Sequence, residues 1–428
     1  TLLNTPISLE FKDFIIASGK YENIIPAKLL TERLIENLKS DDPYISISII
    51  SDSVSSVFCD HIALFNALKP LLSSPDADIR ILVPKAMLNI HKYCESSITT
   101  EAFFMMLLQE VMYDHSFYVR AGILGVLRDK CDRSFATPEF MKFFKIFSHD
   151  DSSNVRQITY QIIEKLSSFN PIAASSIMRS ALLDAFFIIR NDSSIRTRSR
   201  VAKTLPFMVR ASKMTMKAYT GGFMDIATDV FENHLSQKAF ENFLEVSAYN
   251  SFLIGIIDTM ALIAPMDPET ISKKSDFFIP ILCSFLNPET NRHLALSILH
   301  LLLVLLSPPA STVAYRAQAA QIIGSCSSFL AATHSRKVRI AILKVFGVVG
   351  VIDIHNKPPR KICTSPENID DSLVRQFFHP RKDIEGALDD SLLLDPNTSN
   401  QYYSAVVANS LLEIFKDENL KDFYIDAV

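Results

Sequence analysis

Five times along the chain a polar residue is followed six positions later by arginine, where an apolar run at helical spacing begins. The copies are "SPDADIR" ending at Arg80, "DHSFYVR" at Arg120, "DDSSNVR" from Asp150 to Arg156, "DSSIRTR" at Arg198 and "THSRKVR" at Arg339. Two weaker copies, "DDPYISI" and "NPETNRH", end at Ile47 and His293. From Arg80 onward the joints lie 40, 36, 42, 95 and 46 residues apart, counting the weak copy at His293, so the long gap holds one degenerate unit.

A period near 40 residues is that of a two-helix repeat of the HEAT or armadillo type. Asp or Asn at the joint can accept hydrogen bonds from the orphan N–H groups of the next helix. Arginine one turn inside that helix is placed to reach the acid of the next unit, so stacked units would form a ladder. On this reading Arg120, Arg156 and Arg339 each open an inner helix and point at a neighbouring Asp or Asn. The run after Arg156 is amphipathic, with Ile158, Ile162, Ile163 and Leu166 on one face. Neither helix of such a pair buries its apolar face alone, so each unit stacks on its neighbours.

Composition agrees. The chain has 428 residues, 48% of them hydrophobic, and only 10 glycines, which disfavours a turn-rich β fold. The fold class expected is an all-α, superhelical HEAT/armadillo-type solenoid of antiparallel helix pairs. About eight pairs fill residues 1–355, a polar and largely disordered insertion fills 356–400, and a further repeat opens over 401–428. Pro84 and Pro206 fall inside expected second helices, where a kink is expected. Thr364 and Ser365 in the insertion are candidates for phosphorylation or for a short partner motif. The chain opens with Thr, so a piece of a larger protein is expected.

Several function classes lack support. A formal charge of −4 gives no basic surplus for nucleic acid. The most lipid-like run, Leu294–Ser307, is 14 residues long, short of a membrane span. The six cysteines are far apart, without zinc or redox spacing, and read as buried hydrophobes in a reducing compartment. No phosphate-loop, dinucleotide, metalloprotease or nucleophile-elbow motif occurs, so no catalytic, cofactor-binding or metal residue is assigned. Gly347 and Gly350 sit beside basic residues in "RKVRIAILKVFGVVGVID", but no strand precedes them and no Lys-Ser/Thr follows. They read as helix-packing positions, like Gly122 and Gly125. The basic cluster "RNDSSIRTRSRVAK" is either a grip for phosphate or an acidic partner, or a solvated helix face.

Three blocks resemble one family, the TOR (target of rapamycin) protein kinases. Within Leu127–Phe186 the family pattern is carried by Val155, Arg156, Leu166, Ser167, Ser168, Asn170, Pro171 and Arg179. A second block lies in the family's frame with Arg339, Ile342, Val345, Phe346, Gly347, Val349, Gly350, Ile352, Asp353 and Lys357. It departs from the pattern at Ile354, where the family has Pro, and at Phe346 and Val349, where it has Leu. After a polar insertion, a third block matches at Ala405, Val406, Ile414, Phe415, Asp417 and Leu420.

The resemblance implies the helical-repeat region of a large serine/threonine kinase of the phosphatidylinositol-3-kinase-related group. It implies a non-catalytic scaffold in nutrient and growth signalling whose partners are a second copy and complex subunits such as Raptor. ATP and Mg would belong to a kinase domain beyond this chain, with no small-molecule substrate, nucleic acid or membrane span here. The implied location is cytoplasmic, with endomembrane or nuclear association through the full complex. A free-standing HEAT adaptor of the nuclear-transport or phosphatase-scaffold type is the alternative.

Overall fold

A computed structural model of the chain describes residues 27–40, 42–52, 60–94, 98–236, 243–307, 310 and 318–351. Every regular element among them is helical, as expected from scarce glycine and helix-period apolar runs. The chain divides into two compact units, Thr1–Ala181 and Leu182–Val428. The expected insertion at 356–400, with Thr364 and Ser365, and the repeat over 401–428 lie outside the described residues.

The first unit contains α1 (Ala27–Leu38), α2 (Tyr44–Asp52), α3 (His61–Leu68), α4 (Ala77–His91), α5 (Thr100–Tyr113), α6 (Phe117–Lys130), α7 (Pro138–Phe147) and α8 (Ser153–Leu166). The second helices α2, α4, α6 and α8 pack in succession as one layer, while α1 packs on α3 and α5 on α7 in the other. An aromatic path threads the core between the layers. Phe103 meets Phe65 and stacks on His91, Phe104 meets Phe135, and Phe135 meets Phe140, with ring centroids 4.3–5.6 Å apart. These rings come from several helix pairs, so each pair lacks part of its core until its neighbour docks.

A long helix, α9 (Pro171–Asn191), contains the division between the units. The second unit continues with α10 (Ile195–Ala202), α11 (Leu205–Ala211), α12 (Thr220–Ser236), α13 (Phe243–Ile263), α14 (Pro268–Ser272), α15 (Ser275–Ser284), α16 (Arg292–Leu306), α17 (Ala319–Ala332) and α18 (Arg336–Val351). Here α10, α13, α16 and α18 form the layer of second helices, and α15 packs between α12 and α17. Pro138, Pro171 and Pro268 each open a helix, where the missing N–H costs nothing.

Three expectations change. Pro84 lies inside α4, but Pro206 does not kink a continuous helix. It stands in the first turn of α11, and the chain breaks after Ala202, because a proline there cannot donate to the preceding turn. Leu294–Ser307 is not the most membrane-like run. Pro171–Asn191 and Leu244–Ile263 are long and apolar enough to cross a membrane by length and composition, and α13 packs between α10 and α16. Gly122 does permit close packing, since a Cβ there would lie 2.9 Å from Ile81 Cγ2, but Gly125 and Gly347 face open space. The closest approach is at Gly255, where a Cβ would lie 2.6 Å from the carbonyl of Ala202.

Candidate functional site

The joints explain the six-residue spacing. At Arg80, Arg120 and Arg156, Nη1 folds back one turn and donates to the carbonyls six and five residues earlier. For Arg80 these are Ser74 and Pro75 (2.7 and 3.2 Å), for Arg120 Asp114 and His115 (3.0 and 3.2 Å), and for Arg156 Asp150 and Asp151 (2.5 and 2.9 Å). Those carbonyls precede the helix and have no intrahelical donor at that point, so an arginine at this spacing closes the loop onto its own helix. At Arg339 Nε donates to Thr333, again six residues earlier, at 2.7 Å.

The other edge of the guanidinium reaches the next unit in two cases. Arg80 Nε and Nη2 donate to Asp114 Oδ2 and Oδ1 at 2.7 and 3.3 Å, and Arg120 donates likewise to Asp150 at 2.8 and 2.8 Å. Both receiving carboxylates also accept an N–H two residues on, from Ser116 and Ser152 at 2.8 Å each. The Arg80–Asp114 side chains are 8% and 9% exposed, so water competes little. Burial pushes the Asp114 carboxyl up, but the Arg80 hydrogen bond, the Ser116 amide and nearby positive charge together hold it below the ordinary range. The hydrogen bond to Asp150 raises Arg120 above the usual guanidinium value. Asp114 and Arg120 are thus each held in the charged form by a partner, and the two pairs are fixed rungs rather than acid/base couples.

Asp76 and Tyr44 make a rung with no sequence precedent. Tyr44 Oη donates to Asp76 Oδ2, and Asp76 Oδ1 accepts the Asp78 N–H at 2.9 Å. The Tyr44 hydroxyl is pushed up to about 12, first by that hydrogen bond. Tyr44 lies in the weak copy that ends at Ile47, and the ladder expected of the arginines did not include a tyrosine as the donor to Asp76.

Arg198 departs from the pattern. Its guanidinium lies 4.6 Å over the Phe252 ring of α13, its Nε is buried without a hydrogen-bond partner, and burial lowers its pKa. In the first unit successive arginines share an aspartate, Arg80 and Arg120 at Asp114 and Arg120 and Arg156 at Asp150, so they run from joint to joint rather than converging on one pocket. No group of three or more His, Cys, Asp or Glu among the described residues is placed to hold a metal. Burial pushes the thiols of Cys131 and Cys283 up to about 12 and about 11, so neither is a nucleophile near neutral pH.

The joint between α5 and α6 differs from the others at its surface. Tyr113, Phe117 and Tyr118 are 78%, 51% and 60% exposed, with Met112 beside them.

Stacked helix pairs held by intra-joint and inter-unit arginine bonds define a HEAT-type helical-repeat protein. Comparison with known proteins narrows the class. Residues 315–428 match the serine/threonine-protein kinase mTOR domain. The chain is 21% identical over 326 residues to the serine/threonine-protein kinase mTor of Drosophila melanogaster, covering 75% of this chain and 13% of that protein. It is 21% identical over 302 residues to the serine/threonine-protein kinase tor1 of Schizosaccharomyces pombe, covering 71% and 12%. The TOR resemblance seen in the sequence therefore holds as a similarity, over 71–75% of this chain and only 12–13% of the length of those relatives. Among solved structures, a Kap121p mutant aligns with a TM-score of 0.48 at 10% identity, covering 98% of this chain and 46% of that one. Kap95p, in a structure with RanGDP, aligns at 0.47 and 12% identity, covering 98% and 58%.

Proposed function

We propose that this chain is a non-catalytic scaffold segment of a TOR-like serine/threonine protein kinase. In this reading it serves dimer assembly and docks complex subunits of the Raptor kind in nutrient and growth signalling. The kinase chemistry, with its ATP and Mg, belongs to other parts of such a protein. The cytoplasm, with endomembrane or nuclear association through the complex, is the compartment this reading implies, and Thr364 and Ser365 are proposed modification sites.

The observation that carries the docking role is the aromatic joint of the first unit. Tyr113, Phe117 and Tyr118 crowd one loop and leave most of their ring surface in water. Clustered exposed aromatics are unfavourable to hydrate and are typical anchors of protein interfaces. The rungs at Arg80–Asp114 and Arg120–Asp150 flank this loop and hold it in place.

The test is made in the intact kinase polypeptide. Tyr113→Ser, Phe117→Ser and Tyr118→Ser are combined, with circular dichroism to check folding. Co-purified subunits are expected to fall by about tenfold or more, the change that losing one hot-spot anchor gives, while phosphorylation of a free peptide substrate persists. Unchanged recovery of subunits and of dimer would overturn the reading.

A further inference from the structure

The most cationic stretch of the chain runs from Arg190 to Lys217. It holds eight Lys and Arg against one acid, Asp192, in a chain whose formal charge is −4. Several of these cations are engaged internally. Arg190 Nη2 meets Asp229 Oδ2 at 3.2 Å, Arg198 lies over Phe252, and Arg210 lies 5.2 Å over the ring of Phe207. Asp192 is engaged as well, since its Oδ1 accepts the Ser194 N–H at 2.7 Å in its own joint.

Five remain, and three of them, Arg196, Arg200 and Lys203, fall on α10 and its C-terminal cap. They lie at i, i+4 and i+7, and all three are exposed, while Ser199 and Ala202 are buried and α10 packs on α13. One face of α10 therefore carries three cations in successive turns, and among the described residues none of the three has an acidic partner. Like charges at this spacing repel and weaken a helix. A bound anion relieves that repulsion. Arg198, held inward over Phe252, fixes the rotation of α10 and so keeps Arg196 and Arg200 turned to solvent.

We propose that this face of α10 docks an acidic protein segment that presents Asp or Glu at helical spacing. Two of the three cations are arginines, whose planar forks take carboxylates in paired bonds. Thr197, Ser199, Val201 and Ala202 stand between them with Arg198, so no aromatic residue interleaves the cations to stack nucleic-acid bases. No exposed large apolar side chain stands on α10 for a bilayer to take up. The inference rests on the docking reading and adds a surface and a partner chemistry to it. Its failure would leave subunit recovery through the Tyr113–Tyr118 joint untouched, so the two fail separately.

The experiment titrates the 428-residue chain into a fluorescein-labelled peptide carrying Glu at every third and fourth position, followed by anisotropy at low and at physiological salt. Binding that weakens with salt is expected. The variant R196E/R200E/K203E is expected to weaken it by about tenfold or more, as three lost charge contacts would. The variant K39E/K130E/K142E changes the same charge elsewhere and is expected to weaken it far less. Where the first variant fails to fold by circular dichroism, R196Q/R200Q/K203Q replaces it with the same expectation. Equal losses in both variants, or no loss in either, would overturn the proposal. So would tighter binding of a single-stranded oligonucleotide or of phosphatidylserine vesicles than of the peptide.

Discussion

Arg120 and Asp150 meet in a two-bond fork, 2.8 Å on each arm, across the boundary between successive helix pairs. The same guanidinium donates its third edge to the carbonyls of Asp114 and His115. One side chain thus closes its own joint and grips the next. Truncating it as Arg120→Ala leaves the Asp150 carboxylate, 10% exposed, with the Ser152 N–H and without its bonded guanidinium. The expected loss is about 3 kcal/mol, the cost of breaking a buried pair from one side. Arg120→Met with Asp150→Leu removes both charges and is expected to lose less than Arg120→Ala alone. Urea unfolding followed by circular dichroism checks both. A loss below about 0.5 kcal/mol for Arg120→Ala would place the pair with ordinary surface bridges.

Acid acts on the same rungs. The carboxyls of Asp76 and Asp114 are held below their ordinary value, Asp76 first by the Tyr44 hydrogen bond and Asp114 by Arg80 against the cost of burial. A depressed folded value means the folded chain binds the proton less readily than the unfolded chain. The stabilisation is therefore present above the unfolded carboxyl value, near 4, and is lost as pH falls through the folded values. The melting temperature is expected to drop below about pH 4, and Asp114→Asn is expected to flatten that limb. An equally steep limb in the variant would show that other carboxylates carry it.

Much of the architecture was legible because the joint is a local device. An arginine six residues after a polar joint residue can reach the carbonyls of its own loop wherever helices stack, so Arg80, Arg120 and Arg156 share one geometry and Arg339 reaches the same carbonyl position through Nε. What lies beyond the joint depends on the neighbouring unit. Arg80 and Arg120 find an aspartate there, while Arg198 finds the Phe252 ring, and no local motif distinguishes these outcomes. Tyr44 was illegible for the same reason, since its copy of the joint carries no arginine. The cluster from Arg190 to Lys203 read as uniformly basic, yet tertiary contacts pair Arg190 with Asp229 and turn Arg198 inward, leaving three cations without an acidic partner among the described residues. Gly255 carried no visible signal, because its meaning comes from the backbone of Ala202 on another helix.

Glycines separate packing from propensity. A Cβ at 255 would lie 2.6 Å from both the carbonyl carbon and the oxygen of Ala202, and 2.9 Å from its Cβ. These are mostly backbone atoms that cannot swing aside, so α10 and α13 must part. Gly255→Ala is expected to cost about 2 kcal/mol, within the range for overpacking. Gly347 lies inside α18 with nothing within 4 Å of the added methyl. Gly347→Ala is expected to stabilise by about 0.5–1 kcal/mol through lower unfolded-state entropy and better helix propensity. Thermal melts of the two variants should move in opposite directions. A destabilised Gly347→Ala would show that α18 packs more closely there than its open face indicates.

Asp258 provides the opposite pH test. It lies on α13, and burial pushes its carboxyl up, against the opposing pull of a hydrogen bond from Ser297 and the charges of His300 and Arg210. A raised folded value means the folded chain holds the proton more tightly than the unfolded one. This site's stabilisation is therefore complete below the ordinary carboxyl value, near 4, and declines as pH rises toward the folded value. That window lies above the one in which the Asp76 and Asp114 contribution is lost, so the two can be separated. Asp258→Asn keeps an acceptor for Ser297 and cannot ionise. The variant is expected to match the parent near pH 4 and to melt higher than the parent at pH 7. Melts of both proteins across that range decide the point. A variant that melts lower at pH 7 would mean that Ser297, His300 and Arg210 together outweigh the cost of burial, and that the ionised Asp258 holds α11, α13 and α16 together.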